Sequence, residues 1–364
     1  MCVSSCKASR RRVCTLQGSA IRGHQFAEQA GGREHKFDPA LLLSGLTRQF
    51  STFTRNEAGL PVVWHPAYSA PLLPSSHRFP MKIFQTIYDR LLETKVVRPE
   101  QVHIPVELPS MEQMSLVHDP EYVREFCEGT LSAASLRRIG LPWSPVLVTR
   151  TLAEVAGTLL TAELALEYGL ACNTAGGTHH AFRDFGSGFC IINDLAVTSA
   201  VLLERGAVSR VLIVDLDVHQ GDGTAAILAH EPRVFTMSVH AASNFPAKKQ
   251  RSDLDVPLPD GLADEEYLAV VADHLPRVLT DFRPDLVLYD AGVDPHKDDS
   301  LGRLSLTDAG LFQRERMVFD TCLAFGVPVA AYVGGGYSTD LDVLAARHCF
   351  LHQAATEVYA HHHF

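Results

Sequence analysis

Three side chains able to bind metals or move protons follow one apolar run of this 364-residue chain. The run 212–214 (Leu-Ile-Val) is rich in β-branched residues, which predicts a buried strand. Asp215, Asp217 and His219 follow at alternate positions, which share one face of an extended segment. Open α/β sheets bind ligands at the carboxyl ends of their strands. The run is therefore a candidate site, although alone it also suits an ordinary strand with a solvated polar end.

A second cluster joins two adjacent glycines to two adjacent histidines. Gly176–Gly177 precedes His179 and His180 with one threonine between, and adjacent glycines let the backbone pass close to another group. Imidazole is the usual general base near neutral pH. The carboxylates of Asp215 and Asp222 could orient the two histidines by accepting their second N–H. This cluster predicts proton transfer.

These two runs and three further segments, in the same order, resemble the zinc-dependent histone deacetylases. The five segments are Gly176–Ala181, Gly188–Asp194, Asp215–Gly223, Asp290–Asp294 and Gly334–Tyr337. The resemblance covers about residues 60 to 358 and implies the arginase–deacetylase fold. Gln220 and the run Ser300–Leu306 make the chain most similar to the class IV type and its bacterial relatives.

The resemblance implies one catalytic Zn²⁺ held by Asp217, His219 and Asp294, with Fe²⁺ or Co²⁺ as alternatives. Two carboxylates and one imidazole leave an open coordination position for water and substrate, as catalytic sites do. The resemblance also implies a structural K⁺ site. Its ligands would come from Asp215, Asp217, His219, Ser238 and Val239.

Five catalytic residues are implied by the same resemblance. His180 is expected to take and return the proton, while His179 stabilises charge. Asp215 is expected to accept a hydrogen bond from His179, and Asp222 to accept one from His180. Tyr337 is expected to donate its O–H to the oxyanion.

Four residues are expected to contact the substrate. Phe189 and Phe245 would form the walls of a narrow tunnel, and the Gly188 carbonyl would face the substrate amide. Arg78 resembles an arginine near the acetate exit, with an exposed surface cation as the alternative. Many histone-directed members carry an acidic residue on the tunnel rim, whereas segment 137–145 contains none. Histone tails are therefore in doubt as the natural substrate.

Composition and patterning indicate one large α/β domain over residues 61–358. Hydrophobic residues make up 46% and charged residues 20%, as in soluble globular proteins. Strands alternate with helices, which predicts a mainly parallel central sheet with helices on both faces. Predicted helices include 151–168 and 340–359.

The net charge of −10 argues against direct nucleic-acid binding. No apolar run approaches the ~18 residues of a membrane span.

The two ends of the chain differ from this domain. Residues 1–27 contain five Lys or Arg and no Asp or Glu, which resembles a mitochondrial or chloroplast transit peptide. A disordered basic N-terminus of a nuclear or cytoplasmic protein is the alternative. Residues 28–60 are expected to form a leader segment, and 359–364 a tail.

The leading functional prediction is a zinc-dependent hydrolase that removes acetyl or longer acyl groups from protein or peptide lysines. One alternative substrate is a small acylated amine such as an acetylpolyamine. A binuclear manganese ureohydrolase of the same fold is less favoured, given Tyr337 and the histidine pair. A catalytically silent acyl-lysine binding module would be expected to lack His180 or Tyr337, and both are present. The oligomeric state stays open.

Overall fold

The computed structural model describes residues 53–54, 56–74 and 76–362. The predicted transit segment 1–27 and most of the predicted leader lie outside these residues. Leu60, at the end of the leader, is buried against the core. Among the described residues, none of the helices combines the length and apolar character that a membrane span needs.

Eight strands form one sheet in the described part of the chain. They are β1 (Val62–Val63), β2 (Val102–His103), β3 (Leu170–Asn173), β4 (Val211–Asp215), β5 (Val234–Ala241), β6 (Leu254–Leu258), β7 (Leu286–Asp290) and β8 (Val329–Tyr332). Their order across the sheet is β2-β1-β3-β8-β7-β4-β5-β6, and each neighbouring pair is parallel. The central strands are buried on both faces, so they consist mostly of apolar residues.

Helices cover both faces of the sheet, as predicted. The α-helices are α1 (Ile83–Glu93), α2 (Met111–Ser115), α3 (Pro120–Glu128), α4 (Ala133–Ile139), α5 (Pro145–Tyr168), α6 (Asp194–Glu204), α7 (Asp222–Leu228), α8 (Asp264–Phe282), α9 (Asp308–Ala324) and α10 (Leu341–His361), with 3₁₀ turns at Pro66–Ser69 and Pro99–Gln101. One layer contains α5, α6 and α7, and the other contains α1, α10, α9 and α8. Strand β3 contacts both α5 and α10.

The helices predicted at 151–168 and 340–359 are both longer in the structure. Helix α5 begins at Pro145 rather than at Thr151, because Ser144 caps it by accepting a hydrogen bond from the Leu147 amide. Proline at the first helical position suits such a start. Helix α10 continues to His361, into the predicted tail, because Tyr359 is still buried against the core.

Candidate active site

The carboxyl ends of β4 and β7 lie at the same level of the sheet, because Asp215 pairs in register with Asp290. The chain after β4 carries Asp217 and His219, and the chain after β7 carries Asp294. The predicted metal ligands therefore come from two neighbouring strand ends. This is the edge at which open α/β sheets bind their ligands.

The three predicted metal ligands form one buried cluster. One ligand atom from each lies within 4.8 Å of the others. His219 Nδ1 is 2.9 Å from Asp217 Oδ1 and 3.1 Å from Asp294 Oδ2. Asp294 Oδ2 accepts no hydrogen bond within the described residues. This oxygen is therefore available as a ligand. Two carboxylates and one imidazole fit a divalent metal ion in an open catalytic site.

Backbone amides from neighbouring loops fix the orientation of the two carboxylates. Asp294 Oδ1 accepts a hydrogen bond from the Val218 amide at 2.8 Å, and Asp217 Oδ2 accepts one from the Gly335 amide at 2.9 Å. A Cβ atom at position 335 would lie 2.5 Å from both Asp217 Oδ2 and Asp294 Oδ2. Glycine is therefore required where this backbone approaches the cluster.

The electrostatics of the cluster favour a cation. Burial opposes a charge on His219, but Asp217 and Asp294 outweigh it and raise the pKa of this imidazole to about 10. Burial and the neighbouring Asp217 raise the pKa of Asp294 to about 7. The two carboxylates thus stabilise positive charge beside His219 Nδ1. A metal ion bound there would meet the same attraction and would also relieve the carboxylate repulsion.

Two histidine–carboxylate pairs lie next to the cluster, and they are the pairs expected from the sequence. His179 Nδ1 is 2.8 Å from Asp215 Oδ2, and His180 Nδ1 is 2.7 Å from Asp222 Oδ1. All four side chains are buried, and the two imidazole centroids are 4.1 Å apart. Each carboxylate accepts the Nδ1 proton, which leaves Nε2 of each histidine for other partners.

The two histidines differ in basicity. Burial opposes a charge on His179, but Asp215, Asp217 and Asp290 outweigh it and raise its pKa well above the usual range. Burial, together with the adjacent His179, lowers the pKa of His180 to about 4. The carboxylates around His179 therefore favour its protonated form, whereas burial and the neighbouring His179 favour the neutral form of His180, which can accept a proton.

A cavity of about 500 Å³ connects this site with the surface. His180, His219 and Tyr337 line its inner part, and exposed side chains line its mouth. The cavity lining includes the four predicted substrate residues Arg78, Gly188, Phe189 and Phe245. The structure therefore brings them together with the catalytic candidates.

The cavity wall requires an unusual backbone conformation. Gly188 and Phe189 both have positive φ, at 53° and 68°, which is strained for a phenylalanine. The Phe189 amide donates to the Ile139 carbonyl at 2.8 Å, which holds this conformation. A Cβ atom at Gly188 would lie 2.7 Å from His180 Cδ2. The Phe245 ring stands perpendicular to His180, with 4.8 Å between centroids.

Comparison with known proteins agrees with this geometry. Residues 77–352 match the histone deacetylase domain. The chain belongs to the histone deacetylase family. It is 56% identical over 301 residues to an uncharacterized protein of Picosynechococcus sp., which covers 83% of this chain and 100% of that protein. It is 32% identical to histone deacetylase 8 of Xenopus tropicalis, over 69% and 70% of the two chains. The acetoin utilization protein AcuC of Bacillus subtilis is 29% identical, over 67% of this chain and 68% of that protein.

The resemblance inferred from the sequence motifs is thereby confirmed, as is the arginase–deacetylase fold. Assignment to class IV stays a prediction. So does the K⁺ site. Ser238 lies beside Asp215 in the β4–β5 register, and its hydroxyl is 3.0 Å from His240 Nδ1.

Tyr337 is held in this histone deacetylase site by a residue that the sequence analysis missed. Asp299 accepts hydrogen bonds from the backbone amides of Tyr337, Leu301 and Gly302 at 2.6, 2.8 and 2.9 Å. It thereby ties the tyrosine loop to the loop that carries Asp294. Burial raises the pKa of Tyr337 well above its usual range, so its hydroxyl keeps its proton and remains a donor.

Asp290 is a second residue whose place the sequence did not show. It is fully buried, and neither carboxylate oxygen has a hydrogen-bond partner among the described residues. Its Oδ2 lies 3.4 Å from His179 Nδ1, so His179 faces two carboxylates, Asp215 and Asp290. The signal available was that Asp290, like Asp215, ends an apolar strand. Their proximity depends on the strand order.

Proposed function

We propose that this member of the histone deacetylase family is a metal-dependent hydrolase that removes acetyl or longer acyl groups from lysine side chains of proteins. One observation carries the proposal. The metal-ligand cluster of Asp217, His219 and Asp294, the proton-accepting His180 and the donor Tyr337 adjoin the inner end of a single cavity that reaches the surface. We propose Zn²⁺ as the metal, because carboxylate and imidazole ligands suit it.

A divalent ion held by Asp217, His219 and Asp294 would polarise the acyl carbonyl and lower the pKa of a water molecule. His180 supplies the proton transfer. Its Nδ1 is occupied by Asp222, so Nε2 accepts a proton from the attacking water and passes it to the departing lysine amine. The reaction consumes one water and yields a carboxylate and a free amine.

The negative charge that develops on the acyl oxygen is stabilised by two groups of the chain. Tyr337 donates its O–H to this oxygen, as preorganised donors do in acyl transfer. His179 lies beside His180, and Asp215, Asp217 and Asp290 raise its pKa and favour its positively charged form. Phe189 and Phe245 pack along the cavity and exclude water from the aliphatic stem of the substrate.

The alternative functions have less support. An acetylpolyamine carries positive charges, yet none of the described residues that line the cavity is an Asp or Glu. A silent binding module would not need the basic His180 and the donor Tyr337 at one site. The match to the histone deacetylase domain favours a deacylase over a ureohydrolase.

The test is turnover by the purified, metal-loaded full-length chain. The substrates are peptides with acetyl-lysine or longer acyl-lysines, and acetylpolyamines. We expect release of acid and free lysine amine in equal amounts from at least one peptide series. If only the acetylpolyamines were hydrolysed, the proposed substrate would be a small acylated amine rather than a protein lysine. No hydrolysis of any substrate by metal-loaded protein would contradict the proposal.

Replacing Tyr337 by phenylalanine should lower kcat by about 10²–10³-fold with little loss of bound metal, because only one oxyanion donor is removed. The measurement is steady-state kinetics with metal analysis of the same samples. Tyr88→Phe is a matched control: Tyr88 stacks on Trp64 with ring centroids 4.0 Å apart, outside the cavity lining. Unchanged kcat in Tyr337→Phe would exclude the assigned role.

A further inference from the structure

The mouth of the cavity is strongly basic although the chain as a whole is acidic. The net charge of the chain is −10. The described residues that line the cavity nevertheless include four arginines and neither an Asp nor a Glu. The four are Arg78, Arg137, Arg138 and Arg303. Such a concentration of one charge at a site entrance acts on the substrate that enters it.

Three of these arginines are free of acidic partners. Arg303 lies 3.5 Å from Asp260, so its charge is largely balanced. Arg78, Arg137 and Arg138 are exposed and form no ion pair with the described residues. The guanidinium of Arg138 stacks over a phenylalanine ring at 4.5 Å, which restricts its motion but does not neutralise it. We call Arg78, Arg137 and Arg138 the rim arginines.

The backbone that carries the rim arginines is anchored to the cavity wall. Arg137 and Arg138 lie in the last turn of α4, directly before Ile139, whose carbonyl accepts the Phe189 amide. His77, the neighbour of Arg78, hydrogen-bonds through Nε2 to the Gly140 carbonyl at 2.9 Å. The three charges therefore belong to the same wall as Phe189.

From these charges we infer that the preferred substrate is an acylated amine flanked by carboxylates, such as an acyl-lysine in an acidic stretch of peptide. The guanidinium fork binds carboxylates in a bidentate manner, and three unpaired forks lie along one side of the entrance. Basic flanks, as in histone tails and polyamines, would be repelled. This inference rests on the proposed function and specifies the substrate of the same site.

The experiment compares kcat/KM of the metal-loaded full-length chain on three acetyl-lysine peptides of equal length, flanked by Glu, Gln or Lys. At low salt we expect the order Glu, then Gln, then Lys, with about 10-fold or more between the extremes. The difference should shrink as NaCl rises, because salt screens charges beyond about 8 Å at 0.15 M. Nα,Nε-diacetyl-lysine, which has a free carboxylate, and its uncharged carboxamide show whether the carboxylate of a small molecule is bound by the rim arginines as well as that of a peptide.

The double variant Arg137→Glu, Arg138→Glu should flatten or invert the order of kcat/KM among the three peptides. Arg277→Glu is the matched control, because Arg277 is exposed on α8 outside the cavity lining, and it should keep the order. Equal rates on the three peptides, or preference for the Lys peptide, would overturn the inference alone. Turnover of none of the substrates would overturn the proposed function, and the inference with it.

Discussion

Asp294→Asn should yield a folded protein that binds little metal and has almost no hydrolase activity. The change removes the negative charge of one of three ligands, and the remaining cluster of Asp217 and His219 loses a carboxylate that stabilises positive charge. Asparagine keeps an oxygen that can accept the Val218 amide, which Asp294 Oδ1 accepts at 2.8 Å. The loop should therefore keep its conformation. The substitution therefore distinguishes the loss of a metal ligand from the loss of the folded structure.

The measurements are metal content, thermal unfolding and kcat/KM of each variant. Wild-type protein should hold about one equivalent of metal, as a single three-ligand site implies. Asp298→Asn is the matched control, because Asp298 lies in the same loop but is exposed and paired with Arg347 at 3.1 Å. It should keep both metal and activity. Full metal and full turnover in Asp294→Asn would show that the ligand assignment is wrong.

His180→Ala should lower kcat by about 10²–10⁴-fold, the usual loss when a general acid–base group is removed. His180 is neutral at neutral pH because burial and the charged His179 lower its pKa to about 4. His180 also lines the cavity. Its Nδ1 is hydrogen-bonded to Asp222, which leaves Nε2 free to exchange the proton. His179 has the opposite character, since the neighbouring carboxylates raise its pKa and favour its charged form.

The roles of the two histidines are separated by measuring His179→Ala beside His180→Ala. We expect His180→Ala to be the more damaging change in single-turnover measurements, with metal retained in both proteins. His274→Ala serves as a control, because His274 lies on α8 away from the cavity lining. If His179→Ala were inactive while His180→Ala turned over normally, the proton transfer would belong to His179.

Much of the site could be predicted because its chemistry is concentrated in short sequence segments. Asp215 ends β4, and Asp217 and His219 follow it at alternate positions. Such alternation is a local property that a sequence displays directly. The pairing of His179 with Asp215, and of His180 with Asp222, came from the family resemblance. The structure contains both pairs, at 2.8 and 2.7 Å.

Features that depend on strand order or on loop packing escaped the prediction. Asp290 contacts His179 only because β7 is the neighbour of β4 in the sheet. The sequence of an apolar strand does not show which strand it pairs with. Asp298 and Asp299 are adjacent in sequence. Only the structure shows that Asp299 turns inward to hold the Tyr337 amide.

Two short elements escaped the prediction for a related reason. Strand β2 has two residues, and helix α2 has five. A pattern of period 2 or 3.6 cannot be recognised over so few positions. The position of the rim arginines could not be predicted either, because residues distant in sequence come together only in the folded chain. The absence of an acidic residue from segment 137–145 was visible in the sequence, but the gathering of Arg78, Arg137 and Arg138 at one entrance was not.

Removal and return of the metal tests the central claim most directly. The full-length chain is treated with a chelator, and acetate and lysine amine released from an acetyl-lysine peptide are measured as Zn²⁺ is added back. We predict that activity disappears on chelation and returns in proportion to bound metal, reaching its limit at about one ion per chain. Full activity in metal-free protein, or a fully loaded protein that releases no acetate from any acyl-lysine peptide, would contradict the account.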